Sequence, residues 1–77
     1  MTRTEFVVKL DEIMDRPAGT TQVGQRLDAG SGWDSIAMMS FIAMVDAELG
    51  MRVAGPRLAA AKTVDDLIAL VGDKVTA

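Results

Sequence analysis

The residues with the clearest chemical potential are Asp34 and Ser35, which lie in the segment GWDSIAMMSF (Gly32 to Phe41), where a loop is expected to become a helix. Two interpretations of Ser35 fit this position. It can be an ordinary residue of the first helical turn beside an Asp cap. It can also be a hydroxyl that another enzyme modifies, because the dipole and N–H groups of a helix N-terminus suit an attached phosphate. Asp34 opposes the second interpretation by placing a negative charge beside that phosphate.

The composition excludes catalysis by Ser35 itself. The chain has no histidine and no cysteine, so no such base can activate the hydroxyl, and triads, disulfides and thiolate or imidazole metal sites are ruled out. No set of residues supplies an acid, a base and a nucleophile together. We therefore expect neither an enzyme nor a metal site. The net charge of −3 also argues against a nucleic-acid partner, which would require clustered Lys and Arg.

The length of 77 residues predicts one domain over residues 1–77, because a chain of this size has room for a single core. Ala, Leu and Met are plentiful and aromatic residues are few, which favours helices. The apolar runs are too short to cross a bilayer, and acids interrupt the N-terminal segment in a way that is not typical of a signal peptide. A monomeric, soluble cytoplasmic protein is expected.

Start and stop signals predict an all-α, four-helix bundle in which the third helix is short. The predicted helices are Thr2–Asp15, Asp34–Leu49, Gly55–Ala61 with Pro56 in its first position, and a last helix that begins at Thr63. Capping boxes are predicted for Thr2 with Glu5 and for Thr63 with Asp66. Asp34 can cap the second helix, and Gly50 follows its end. The apolar periodicity predicts a core of Phe6, Leu10, Phe41, Ile42, Val45, Leu67 and Ile68.

A long loop, Arg16 to Trp33, separates the first two helices. An irregular loop of this length in a compact domain is expected to be functional or to be fastened to the core. The apolar side chains predicted to fasten it are Val23, Leu27 and Trp33. On the first helix, the residues predicted to face solvent are Lys9, Asp11, Glu12 and Asp15.

The second helix has two apolar stripes where a surface helix needs only one. The first stripe consists of Met38, Phe41, Ile42, Val45 and Leu49, and the second stripe of Ile36, Met39, Ala43 and Ala47. Either the helix is central and buried on most sides, or the second stripe stays exposed as a docking surface. Methionine suits a docking surface because its flexible thioether adapts to several partner shapes.

The order of these elements resembles the acyl carrier protein family over essentially the whole chain. Asp34–Ser35–Ile36 is similar to that family's Asp-Ser-Leu motif, and KTVDDLIALV, near the C-terminus, is similar to the opening of its last helix. The resemblance implies a bundle of the acyl-carrier type, with a long loop between the first two helices. It also implies a carrier on which other enzymes act.

The resemblance further implies a covalent cofactor. Ser35 would carry 4′-phosphopantetheine through a phosphodiester, transferred from coenzyme A by a phosphopantetheinyl transferase for which Asp34 is a recognition residue. The cofactor thiol would hold acyl groups as thioesters and present them to acyl-activating or acyl-transferring enzymes of a pathway.

The chain departs from many fatty-acid carriers, which have acids along the outward side of the second helix. Here the corresponding positions are Ala37, Met39, Ser40 and Ala43. The next acidic residues are Asp46 and Glu48, near the end of the helix. Together with Gly32-Trp33, this pattern resembles carriers of polyketide and nonribosomal peptide pathways. A specialised fatty-acid/polyketide-type pathway is therefore expected. An aminoacyl or peptidyl carrier and an unmodified helical docking module are the alternatives. The expected partner surface consists of Ile36, Met39, Ala43 and Asp46.

Overall fold

The part of the chain that the structure describes, residues 1–28, 30 and 32–76 of a computed structural model, consists of helices joined by loops. The helices are α1 (Arg3–Ile13), α2 (Ser35–Leu49), α3 (Gly55–Ala59) and α4 (Val64–Val71), and a 3₁₀ turn, Gly72–Lys74, follows α4. The predicted all-α fold with a short third helix is confirmed over these residues.

The predicted caps are present at the helix ends. The Thr2 hydroxyl accepts from the Glu5 N–H at 3.1 Å, and the Thr2 N–H donates to the Glu5 carboxylate at 2.8 Å. Hydrogen bonding to Thr2 lowers the pKa of Glu5. Thr63 and Asp66 form the same reciprocal box at the start of α4. Gly50 ends α2 in the left-handed conformation, with φ of 65°, a geometry that glycine adopts without a Cβ penalty.

Two helices are shorter than predicted. α1 ends at Ile13, because Asp15 has a φ of 56° and a left-handed residue cannot continue a right-handed helix. α3 ends at Ala59, and Pro56 is its second residue. The Ala61 N–H bonds to the Leu58 carbonyl at 3.1 Å, so the chain closes in a tighter turn there.

The core lies between α1, α2 and α4, and Phe41 is at its centre. The Phe41 ring meets the Phe6 ring edge-on at a centroid distance of 5.9 Å and the Trp33 ring at 5.8 Å, an arrangement that aromatic quadrupoles favour. The predicted core residues that are fully buried are Phe6, Leu10, Phe41, Val45 and Leu67. Ile42 and Ile68 are partly buried against them.

Asp11 contradicts its predicted place on the solvent side of α1. The residue is fully buried, and its carboxylate accepts from the N–H groups of Gly19 and Thr21, each at 2.8 Å, and from the Thr21 hydroxyl. The prediction was wrong because the loop folds back over this side of α1 and supplies the donors that a buried carboxylate requires. A polar contact therefore fastens the first part of the loop.

The second part of the loop is fastened by its backbone and by apolar side chains. The Leu27 N–H donates to the Lys62 carbonyl at 2.8 Å, and the Val64 N–H donates to the Gln25 carbonyl at 2.9 Å, which ties the loop to the start of α4. Of the three apolar residues predicted to fasten the loop, Trp33 is buried and Leu27 is partly buried against the core. Val23 is half-buried but does not pack on the core of the described residues. The loop thus reaches α2 as an anchored segment.

Candidate functional site

Asp34 and Ser35 lie at the junction of the loop and α2. Asp34 is the N-cap: its backbone is extended, and its carboxylate accepts from the Ala37 N–H at 2.8 Å. The predicted cap is therefore confirmed. Ser35 is the first residue of α2 and is exposed. Because Asp34 caps the helix, the Ser35 hydroxyl is not needed for that task and lies open to another molecule.

Gly32 positions this junction, a role that the sequence did not reveal. Its φ is 97°, and a Cβ atom added there would lie 2.8 Å from the carbonyl oxygen of Met14, closer than non-bonded atoms approach. The loop therefore crosses the C-terminal end of α1 at a point where only glycine fits. The Asp34 N–H bonds back to the Gly32 carbonyl at 3.2 Å, so this close approach lies within a few residues of Ser35. In the sequence, the signal that could have pointed to this role is the Gly32-Trp33 pair directly before Asp34.

The second stripe is exposed along its length. Ile36 is 74% exposed and Met39 is 71% exposed, and Ala43 and Ala47 are exposed below them. Of the two interpretations of α2, burial on most sides is therefore wrong. Large apolar side chains at this exposure have no packing role within the described residues, which is the usual mark of a contact surface.

Ala37 was wrongly predicted to point outward. It is only 2% exposed, because it lies four residues before Phe41 and eight before Val45, on the helix side that faces the core. The loop residue Trp33 packs on the same side of α2, against the Phe41 ring at a centroid distance of 5.8 Å. The other three positions predicted to point outward, Met39, Ser40 and Ala43, are exposed.

The charges of α2 are concentrated at its ends. Asp34 and Asp46 are exposed, and no charged residue lies between them in the sequence. Glu48 faces Lys9 of α1 at 3.7 Å, and Lys9 also lies 3.9 Å from Glu12. Part of the acidity at the C-terminal end of α2 is therefore neutralised by α1. Between Asp34 and Asp46, the exposed surface of α2 is uncharged.

The chain was compared with models of known protein families. The family described as "Phosphopantetheine attachment site" matches residues 5–71. Comparison with curated proteins and with solved structures found no significant match. Every helix in the described part of the chain is too short or too polar to span a membrane.

Members of the matched family are carriers rather than catalysts, and they work with phosphopantetheinyl transferases and with the enzymes of their pathways. In this family the cofactor 4′-phosphopantetheine is attached covalently to a serine. The matched range extends from the first turn of α1 to the last residue of α4, and the helical architecture agrees with it. The chain therefore belongs to the phosphopantetheine attachment site family of carrier domains.

Proposed function

We propose that this chain is an acyl carrier protein of a specialised fatty-acid/polyketide-type pathway and that Ser35 bears its 4′-phosphopantetheine. The observation that carries the proposal is the exposed Ser35 hydroxyl at the first residue of α2, inside the matched range. Residues 1–77 act as one carrier domain and as a monomer.

Ser35 suits the attachment better than Ser40, the other serine whose structure is described. Both are exposed, but Ser40 lies in the second turn of α2, where N–H groups are engaged by the helix. The N-terminus of a helix favours a phosphodiester through its dipole and through N–H groups without intrahelical partners. Ser31, the remaining serine, lies outside the described residues. The site assignment therefore rests on the position of Ser35 at the helix start.

The surroundings of Ser35 have room for the group. When bound, the cofactor supplies a thiol that holds an acyl group as a thioester. The protein's own residues leave its attachment point accessible, because Ser35 itself is exposed and the Asp34 carboxylate is engaged by the Ala37 N–H. The neighbouring side chains of Ile36 and Met39 are 74% and 71% exposed. Asp34 also carries an exposed negative charge that a transferase can recognise.

Partners dock on the apolar surface formed by Ile36, Met39 and Ala43, with Asp46 at its edge. These partners are the phosphopantetheinyl transferase and the acyl-activating or acyl-transferring enzymes of the pathway. Burial of the apolar side chains contributes about 25 cal/mol per Å² removed from water. Exposed ion pairs contribute little by comparison, because they are screened. Recognition of this carrier is therefore mainly apolar.

An aminoacyl or peptidyl carrier is the second candidate function, because Gly32-Trp33 and the uncharged α2 surface resemble carriers of nonribosomal peptide pathways as well as those of polyketide pathways. Both candidates use the same fold and the same serine, so the loading enzyme distinguishes them. The modified protein is offered an acyl-activating or an aminoacyl-activating enzyme of its own genomic neighbourhood, and the mass of the thioester identifies the cargo class.

The attachment site is tested by intact-protein mass spectrometry after incubation with coenzyme A and a broad-specificity transferase. The wild type is expected to gain one phosphopantetheine group, and Ser35→Ala none. Ser40→Ala is the matched control and is expected to be modified like the wild type. Modification of Ser35→Ala at another serine would refute the assignment, and an unmodified wild type would favour the docking module.

The docking surface is tested by steady-state transfer to the partner. Ile36→Ala and Met39→Ala are expected to weaken transfer with the fold intact, and Met39→Glu to weaken it more, because it forces a charge into an apolar contact. Ala69→Glu places the same charge on an exposed residue of α4 and is the control. Equal behaviour of the two Glu variants would show that the second stripe is not the contact.

A further inference from the structure

Met39 differs from the other methionines of the chain in its exposure. Six methionines are present. Met39 is 71% exposed, whereas Met14 is buried and Met1, Met38, Met44 and Met51 are only partly exposed. A peroxide must reach the thioether sulfur to oxidise it, so exposure ranks the methionines of a folded protein by reactivity. The structure therefore singles out one sulfur as the most accessible.

Met39 also lies close to the attachment site. It follows Ser35 by four residues, so the two side chains are neighbours on the same side of α2, one helical turn apart. Ile36, the other large residue of this exposed surface, cannot be oxidised under mild conditions. A change of polarity at Met39 would thus alter the middle of the proposed docking surface while the core side chains stay in place.

We infer that Met39 is a site of reversible oxidation by hydroperoxides and that its sulfoxide weakens the docking of partners on the apolar surface beside Ser35. One oxygen atom passes from the peroxide to the thioether sulfur, which is oxidised to a sulfoxide, and hydrogen peroxide is reduced to water. The product is polar and chiral, and it places an S=O group where an apolar partner surface must dehydrate it. The effect on docking rests on the proposed function, whereas the selectivity of the oxidation does not.

The selectivity is measured first. The unmodified protein is treated with graded hydrogen peroxide, the peroxide is removed with catalase, and sulfoxide is quantified at each methionine by peptide mass spectrometry. At an average of about one added oxygen per chain, most of the sulfoxide is expected at Met39. Faster oxidation of any of the other five methionines would overturn the inference, whatever the function of the chain.

The effect on docking is measured with the transferase, coenzyme A and catalase-treated samples, each protein being compared with its own untreated sample. Oxidation of the wild type is expected to raise the KM for the carrier about tenfold, because a polar group must be buried unpaired. Circular dichroism is expected to show an unchanged fold. Reduction by the two methionine sulfoxide reductases, one for each epimer, is expected to restore the original KM.

Two variants test whether the sulfur of Met39 is responsible for the effect of peroxide on the KM. Met39→Leu keeps an apolar side chain without an oxidisable sulfur, so peroxide is expected to leave its KM at the untreated value of the same variant. Met38→Leu removes the neighbouring, partly buried sulfur and is expected to stay as sensitive as the wild type. A peroxide effect that persists in Met39→Leu would assign the response to another residue and overturn the inference.

The outcomes separate this inference from the proposed function. If oxidised wild type keeps its KM while Met39→Glu raises it, the docking surface stands and oxidative regulation is refuted. If neither change affects transfer, the docking surface itself is refuted, and the inference falls with it. A raised KM in both, reversed by the reductases, supports both statements.

Discussion

The two sides of α2 contain similar residues and have opposite environments. On one side Ala37, Phe41 and Val45 are buried, and on the other Ile36 and Met39 are more than 70% exposed. The difference comes from the neighbours, because Phe6 and Trp33 cover the first side and contact the Phe41 ring. Apolar content therefore shows that a helix has surfaces to bury, and the fold decides which surface remains for a partner.

The exposed side contributes little to folding. Burial of a side chain such as Ile or Met stabilises a fold by about 1.5–3 kcal/mol, and Ile36 and Met39 forgo most of that contribution. Their presence is therefore better explained by binding than by stability. This division of α2 into a folding side and a binding side leads to four predictions, ordered by the size of the expected effect.

The largest effect is expected from Phe41→Ala, which removes the centre of the buried side. Deletion of a buried ring costs roughly 3–5 kcal/mol, and a domain of this size has little more than about 5 kcal/mol of stability. The variant is expected to be largely unfolded, as seen in the urea midpoint and the near-ultraviolet signal of Trp33. Met39→Ala is the matched control and is expected to change the free energy of unfolding by less than about 0.5 kcal/mol. Similar losses in both variants would end the distinction between the two sides.

The second prediction concerns Gly32, which sets where the exposed side begins. Gly32→Ala places a Cβ 2.8 Å from the Met14 carbonyl at a φ of 97°, and strain of this kind costs roughly 1–3 kcal/mol. The variant is expected to lose stability and to be modified more slowly at Ser35, because the start of α2 must shift. Gly24→Ala, whose Cβ would meet no atom within 4 Å, is the control and is expected to be close to neutral. Equal urea midpoints for the two variants would contradict this role.

Local signals explain which features could be predicted from the sequence. Thr2 with Glu5, Asp34, and Thr63 with Asp66 each act within one helical turn, so their caps were recognised. The stripes of α2 follow from helical periodicity alone. Local sequence did not determine whether the second stripe would also be covered, because this depends on α1 and the loop.

Asp11 and Gly32 show what the local signals do not contain. The burial of Asp11 depends on donors from Gly19 and Thr21, eight and ten residues away. The requirement for Gly32 depends on Met14, eighteen positions earlier. Both contacts form only when the loop folds over α1, so the pattern of polar and apolar residues could not reveal them.

The third prediction separates the capping role of Asp34 from its proposed role in recognition by the transferase. Asp34 is the N-cap of α2. Asp34→Asn keeps a good N-cap but removes the charge, whereas Asp34→Ala removes both and is expected to cost about 1 kcal/mol of stability. If the charge serves recognition, both variants are expected to be modified more slowly at Ser35, although only Asp34→Ala has a lower urea midpoint. A normal rate for Asp34→Asn would show that Asp34 is a cap and nothing more.

The smallest effect is expected from salt, and it sharpens the contrast between apolar and electrostatic recognition. The outward side of α2 between Asp34 and Asp46 has no charge, and Glu48 is already engaged by Lys9 at 3.7 Å. Steering by charge acts over about 10 Å at 0.1 M salt and weakens as salt rises. The KM for transfer to the cognate partner is therefore expected to change only slightly from low to physiological ionic strength.

Ser40→Glu supplies the comparison, because it places an acid on the exposed side of α2. A partner with a basic surface would bind this variant more tightly at low salt and lose the advantage as salt rises, whereas an apolar partner would bind it poorly throughout. If the wild type instead lost affinity steeply with salt and tolerated Met39→Glu, Asp34 and Asp46 would be the recruiting residues. The exposed apolar side of α2 would then have no part in docking.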